Sequence, residues 1–274
     1  MTTPLDAVGA ADARAFDLPN LRDLGGVRTA DGRRIRRGLV FRSPSLARAS
    51  SRDLATLTAL GLRTVVDLRS DGERERAPEE HLLPAGATYL VADVNGGGVV
   101  HSPMWQLTVL GTAAERRAAF GGGRAEAGFE AKFRDFVTGD QPRRAFGLLL
   151  ASLAAPGGLP AVFHCSTGKD RTGWAAAVLL AHLGVPADLV MDDFIAGNAA
   201  IRELMRPAIE RHVAEGGDAD DLGPLISVQA SYLAAGLDEV ARVYGTMARY
   251  VEDGLGLSAA AGERLRASLL EPAV

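Results

Sequence analysis

Residues 159–163 are a short apolar run, residues 164–173 read His-Cys-Ser-Thr-Gly-Lys-Asp-Arg-Thr-Gly, and residues 172–183 are an alanine-rich helical stretch stopped by Gly184 and Pro186. This order of strand, tight loop and helix constrains the fold more than any other feature of the chain. It predicts an α/β architecture with the loop delivered from the end of a strand to a helix N-terminus. Backbone N–H groups converge at such a terminus and the helix dipole adds its field, so the loop is a holder for a phosphate-sized anion.

The residues of the loop suit that chemistry. Ser166, Thr167, Gly168, Lys169, Asp170 and Arg171 offer amides to the oxygens of a phosphoryl group, and Gly168 allows a tight backbone path. The same amides and dipole favour the thiolate of Cys165, which makes it a nucleophile at neutral pH. Arg171 can fork two N–H groups onto equatorial oxygens, a geometry for which lysine is poorly suited. The Thr172 hydroxyl can donate to the sulfur and help it leave. His164 reads as a hydrogen-bonding orienter, since an ionised thiol needs no base. In-line attack on phosphorus through a phosphocysteine intermediate is the reaction this set can perform.

Composition narrows the remaining possibilities. The chain has 274 residues, 47% of them hydrophobic, enough for one sizeable core. Its formal charge of −4 gives no global positive field, so no nucleic-acid partner is expected and any anion must be held locally. Cys165 is the sole cysteine, which excludes an internal disulfide and multi-cysteine zinc patterns. His81, His101, His182 and His212 lack ligand-like spacing, so no metal is assigned. No run reaches the roughly 20 apolar residues of a membrane span. With no signal-peptide pattern at the start, the expectation is a soluble cytoplasmic protein, signal-independent export being left open. Lysine occurs only at Lys132 and Lys169 among 30 basic residues, which suggests a GC-rich genome more than a function.

Along the chain, residues 1–17 read as a flexible arm and residues 18–272 as one domain. A hairpin-like entry leads to a strand at 39–41. Ser50 with Asp53 caps a helix that Gly61 ends, and a buried strand follows at 64–68. Residues 89–91 read as a second core strand. Between the glycine triplets 96–98 and 121–123 lies an apolar segment containing Met104 and Trp105, so about residues 95–124 form a candidate lid insertion. Helices are expected over 125–137 and 142–154, and the chain beyond Pro186 is helical. The clustered Arg33, Arg34, Arg36 and Arg37 read as a solvated turn. Asp67, Arg69 and Glu73, at a strand's carboxyl end, fit either a ligand site or an ion-pair network.

The segment Cys165-Ser-Thr-Gly-Lys-Asp-Arg171 resembles the phosphate loop of the protein tyrosine phosphatase superfamily, and within it the bacterial tyrosine-protein phosphatase family. Asn20-Leu-Arg-Asp-Leu-Gly-Gly26, Leu39-Val-Phe-Arg-Ser43, Leu60-Gly-Leu-Arg-Thr-Val-Val-Asp-Leu-Arg-Ser70 and the tail around Tyr232 and Tyr244 are similar in order and spacing. The resemblance implies a phosphatase-like fold: a central, mostly parallel sheet flanked by helices, with a helical lid and a helical C-terminal part. It implies cofactor-free hydrolysis of phosphomonoesters, on phosphorylated proteins or phosphoinositides, with inorganic phosphate as product. It makes Cys165 the nucleophile, Arg171 the phosphate binder and Lys169 an added cation near the substrate.

Departure of an alkoxide or phenoxide requires a proton donor. Neither Trp105 nor Trp174 precedes a proline, so the Trp-Pro-Asp acid loop of many tyrosine phosphatases is absent. The resemblance suggests Asp170 as general acid, and Asp93 is the alternative. Two other classes stay open at this level. One is a catalytically silent module that recognises phosphorylated partners, and the other is a sulfur- or arsenate-handling enzyme. The complete set of chemistry-bearing residues argues against the first, and the Arg-Thr-Gly helix opening against the second.

Overall fold

The computed structural model describes residues 16–96 and 112–272. Five strands form one sheet: β1 (Arg22–Asp23), β2 (Val40–Ser43), β3 (Thr64–Asp67), β4 (Thr88–Val91) and β5 (Ala161–His164), in the order β1-β2-β5-β3-β4. Only the β1–β2 pair is antiparallel. The last strand in sequence is thus the central one, with Ser43 and Asp67 both in register with His164. The chain leaves the middle of the sheet directly into Cys165. This is the crevice at the carboxyl ends of parallel strands where α/β proteins bind ligands.

Alternation along each strand builds two cores. Phe41, Val65 and Val162 face one way, joining Phe16, Leu46 and Leu57. Helix α1 (Ser51–Ala59) covers that side, started by the Ser50/Asp53 capping box. Val40, Val66 and Phe163 face the larger core. The helices of six residues or more that follow are α2 (Asp71–Arg76), α3 (Ala113–Phe120), α4 (Arg124–Thr138), α5 (Asp140–Ala154), α6 (Asp170–His182), α7 (Ala187–Ala196), α8 (Asn198–Ala214), α9 (Ala230–Tyr244) and α10 (Ala259–Leu269).

Helix α6 is buried along nearly its whole length, Trp174 included. Small residues permit this. A side chain at Gly173 would come within 2.8 Å of the Phe194 ring, and one at Gly236 of α9 within 2.5 Å of Trp174. Phe133 of α4 meets Trp174 and Phe194 edge-on at 6.1 and 5.7 Å, which locks α4 beside α6.

Three expectations are adjusted. Helix α6 opens at Asp170, not at residue 172, so Asp170 and Arg171 belong to its first turn, where a carboxylate complements the dipole. Strand β4 pairs only with β3 and is an edge, with Val91 40% exposed. Its apolar residues gave no means to tell one covered face from two. Phe16 packs on Phe41 at 5.9 Å, and the Asp17 amide donates to Asp53 Oδ1 at 2.7 Å, so the chain is already anchored there. The rest of the expected arm, and residues 97–111 of the candidate lid, lie outside the described residues. No helix among the described residues is long and apolar enough to cross a membrane.

Candidate active site

The loop after β5 is a cup in which the carbonyls of residues 166–168 are held from outside. Ser166 O accepts from the Ser45 amide at 3.4 Å and Thr167 O from Asn20 Nδ2 at 3.4 Å. Gly168 O accepts from Asn20 Nδ2 and Arg42 Nη2, both at 3.0 Å. In a trans peptide the C=O and the following N–H point in opposite directions. Pinning these three carbonyls outward therefore turns the amides of Thr167, Gly168 and Lys169 to the other side. Gly168 is the pivot: its φ is +68°, and a Cβ there would lie 2.7 Å from Pro44 N and 2.8 Å from the Ser43 carbonyl. Only glycine fits on both counts.

A buried ionic cluster beneath the loop holds the residues that do the pinning. Asp193 of α7 accepts from Arg42 Nη1 at 2.6 Å and from Arg22 Nε and Nη2 at 3.2 and 3.1 Å. Arg22 Nη1 in turn donates to Asn20 Oδ1. Burial, then the charge of Arg22, pushes Arg42 down to about 10, and burial opposes but does not overcome the two guanidiniums that hold Asp193 low. The Asn20 motif therefore works as scaffold. Asn20 itself has φ +70°, a conformation asparagine tolerates better than most residues.

Cys165 is buried at the loop's base. Burial pushes its thiol up, but the charge of Arg171 and the hydroxyl and amide of Thr172 outweigh that, and the net shift is downward. The balance moves toward the thiolate. Arg171 donates from Nη1 to Glu73 Oε2 and from Nη2 to Glu73 Oε1, both at 2.7 Å, and from Nη1 to Leu68 O at 3.3 Å. Ser166 Oγ also donates to Glu73 Oε1. Burial alone would raise the Glu73 carboxyl, but Arg171 and Ser166 hold it far below the usual range. Glu73, on α2, thus fixes both the guanidinium and the loop.

The other two residues of that strand-end trio form a separate network. Asp67 accepts from Arg69 Nη2 at 2.7 Å, and Arg69 Nη2 lies 3.1 Å from Glu79 Oε1. His164 Nε2 is 2.6 Å from the same Glu79 oxygen, and its Nδ1 is 3.9 Å from Asp67 Oδ1. Ser45 and Tyr89 donate to Glu79 and Asp67 respectively. Burial pulls His164 down, yet the two carboxylates raise it on balance. The Asp67, Glu79 and His164 ligand atoms cluster within 4.8 Å, the spacing of a metal site, but Arg69 supplies the cation there. His164 is oriented from behind, with its Nδ1 3.4 Å from Cys165 O.

Lys169 is buried, with its Nζ 2.8 Å from Asp170 Oδ1, 3.3 Å from Ser227 O and 4.2 Å above the Phe129 ring of α4. Asp170 stands half-buried at the start of α6. Thr172 Oγ1 is buried with no nitrogen or oxygen partner, which leaves it for the sulfur. Asp93, the alternative acid, lies two residues beyond β4. Its Oδ1 accepts the amides of Asn95 and Gly96 at 2.7 and 3.1 Å, shaping the turn that leaves β4.

The structure thus brings together Cys165, Ser166, Thr167, Gly168, Lys169, Asp170, Arg171 and Thr172 on one loop and helix turn, with His164 behind. The sequence reading missed Asp193 and left Glu73 undecided, because their partners are 151 and 98 residues away. It also missed Lys132, whose ammonium feels the charges of Arg171, Asp170, Lys169 and Glu73. Its signal was available: both lysines of the chain come to this site.

Comparison with known proteins points the same way. Residues 15–271 match the sequence pattern of a family described as the tyrosine phosphatase family. A Cupriavidus necator protein named as a tyrosine-protein phosphatase is 35% identical over 250 residues, covering 90% of this chain and 85% of the relative. The triple specificity protein phosphatase PtpB of Mycobacterium tuberculosis is 30% identical over 285 residues, covering 92% and 96%. Superposition on the crystal structure of P. aeruginosa TpbA gives a TM-score of 0.30 at 19% identity, covering 71% of this chain and 88% of that one. The family assignment rests on the sequence matches and not on this overlap.

Proposed function

The chain belongs to the tyrosine phosphatase family, and from that premise we propose that it hydrolyses phosphomonoesters by passing the phosphoryl group through Cys165 to water. The observation that carries this reading is the buried Cys165, kept toward thiolate by Arg171 and Thr172, at the floor of a cup whose carbonyls at residues 166–168 are turned out. The phosphoryl oxygens take the inward amides and the Arg171 guanidinium. The sulfur forms a bond to phosphorus as the P–O bond to the leaving group breaks, and Asp170 gives that oxygen its proton. Water then attacks the phosphocysteine, Asp170 takes a proton back, and the departing thiolate accepts the Thr172 hydroxyl. Inorganic phosphate is released.

Phosphotyrosine on proteins is the primary substrate class in this reading. The relative PtpB carries triple specificity in its name. For this chain, phosphoserine, phosphothreonine and phosphoinositides are the corresponding extension, supported by the second cation Lys169 within the loop.

Turnover of para-nitrophenyl phosphate without added metal tests the reading. Cys165→Ser is expected to be inactive, and activity in that variant overturns the nucleophile. Asp170→Ala is expected to lose roughly 10²–10⁴ in kcat, the usual range for general acid catalysis, with a larger loss on phenyl phosphate, whose leaving group is poorer. An unchanged rate and pH profile in Asp170→Ala moves the acid role to Asp93.

A further inference from the structure

Three cations stand at this site, and two already have anionic partners. Arg171 is forked onto Glu73, and Lys169 is paired with Asp170. The third is Lys132. Phe129, three residues earlier on α4, lies under Lys169 Nζ, so Lys132 emerges on the same face of the helix one turn further on. Its own Nζ sits 5.8 Å from the Phe136 ring, and among the described residues it has no hydrogen bond or ion pair. A half-buried ammonium with no ion-pair partner among the described residues is open to an arriving anion.

We propose that Lys132 is a substrate-binding residue of this site, its ammonium contacting the phosphoryl dianion from α4 while the loop holds it from below. This rests on the phosphatase reading and adds to it a binding group from outside the loop. The charges facing Lys132 are Arg171, Lys169 and Asp170 from the loop and α6, and Glu73 from α2. On its own helix Glu130 pairs with Arg134 at 3.7 Å, and the charge of Glu126 is felt by Tyr232 of α9. Burial, and after it the charge of Arg171, pushes Lys132 down to about 8, with Asp170 and Glu73 only partly compensating. Its charge is therefore lost as pH rises through that value, and phosphate affinity falls with it.

The test pairs two measurements. The first is the dissociation constant of inorganic phosphate by calorimetry between pH 7.5 and 9, which needs no turnover. The second is the pH profile of kcat/KM on para-nitrophenyl phosphate, each for the wild type, Lys132→Met and Lys132→Arg. In Lys132→Met, phosphate affinity is expected to weaken about tenfold at pH 7.5, in keeping with loss of a charge-assisted hydrogen bond. KM should rise by a similar factor with kcat changed less than about threefold, and the alkaline limb should vanish. Lys132→Arg should keep the affinity and move the limb upward. An alkaline limb at the same pH in Lys132→Met, or an arginine variant as weak as the methionine one, overturns the proposal. A wild type that binds phosphate through Lys132 but turns over no ester instead overturns the phosphatase reading and leaves the binding role standing.

Discussion

Both carboxylate oxygens of Glu73 receive Arg171, one terminal nitrogen each, at 2.7 Å. The fork fixes the plane of the guanidinium ahead of substrate binding, and Ser166 ties the same carboxylate to the loop. Glu73→Gln keeps the shape but replaces one acceptor oxygen with a donor that faces an N–H group. The expected result is a fall in kcat/KM on para-nitrophenyl phosphate of about 10–100-fold, the worth of one charge-assisted hydrogen bond, with thermal stability changed far less. A variant with wild-type kinetics would show that Arg171 needs no such orientation.

Asp193 makes a different prediction, because its role is stability. It is the acceptor shared by Arg22 and the fully buried Arg42, so Asp193→Ala leaves a buried guanidinium without a counter-ion. Breaking one partner of a buried pair costs about 3–5 kcal/mol, which is a large share of a domain's total stability. The pH dependence follows from the sign of the shift. Asp193 is held below its ordinary value, so its contribution is complete above the unfolded-state pKa of about 3.9 and is lost as pH falls through the lower folded-state value. Urea midpoints measured at pH 7 and pH 3 should converge between wild type and variant at the lower pH. A gap that stays constant counts against the ion pair as the cause.

Gly168→Ala joins both themes. The new Cβ would have to enter space held by the Pro44 nitrogen and Ser43 carbonyl while the backbone keeps φ at +68°. The loop yields before the sheet does, and a displacement near 1 Å at a reacting centre costs about a hundredfold in rate. Catalysis by Gly168→Ala should fall at least that far, while circular dichroism and the unfolding midpoint show a folded protein. Retained activity would mean that the loop tolerates another path.

Much of this site is legible in the amino-acid sequence alone. The cup, its cysteine, its arginine and the first turn of the helix behind it lie within ten consecutive residues, where local geometry is written into local sequence. Ser50 with Asp53 and the turn at Gly61 are readable for the same reason. Glu73 is visible as a charge at a strand end, but nothing local separates a carboxylate that meets Arg171 from one, like Asp67, that meets Arg69. Lys132 and Asp193 come near the loop only because α4 and α7 pack against α6, and that is set by Phe133, Phe194 and the glycine at 173. Such placement depends on the whole core and leaves no short-range trace.

The outward-pinned carbonyls of residues 166–168 have one last implication. A peptide loop has no inherent sign: turned one way its rim attracts anions, and turned the other it attracts cations. Here Ser45, Asn20 and Arg42 set that polarity from the far side, so the proposed preference of the cup for an oxyanion is decided by residues behind the loop. Removing those donors would free a peptide unit to rotate, and a receptor for phosphate would acquire an oxygen aimed at phosphate's own oxygens.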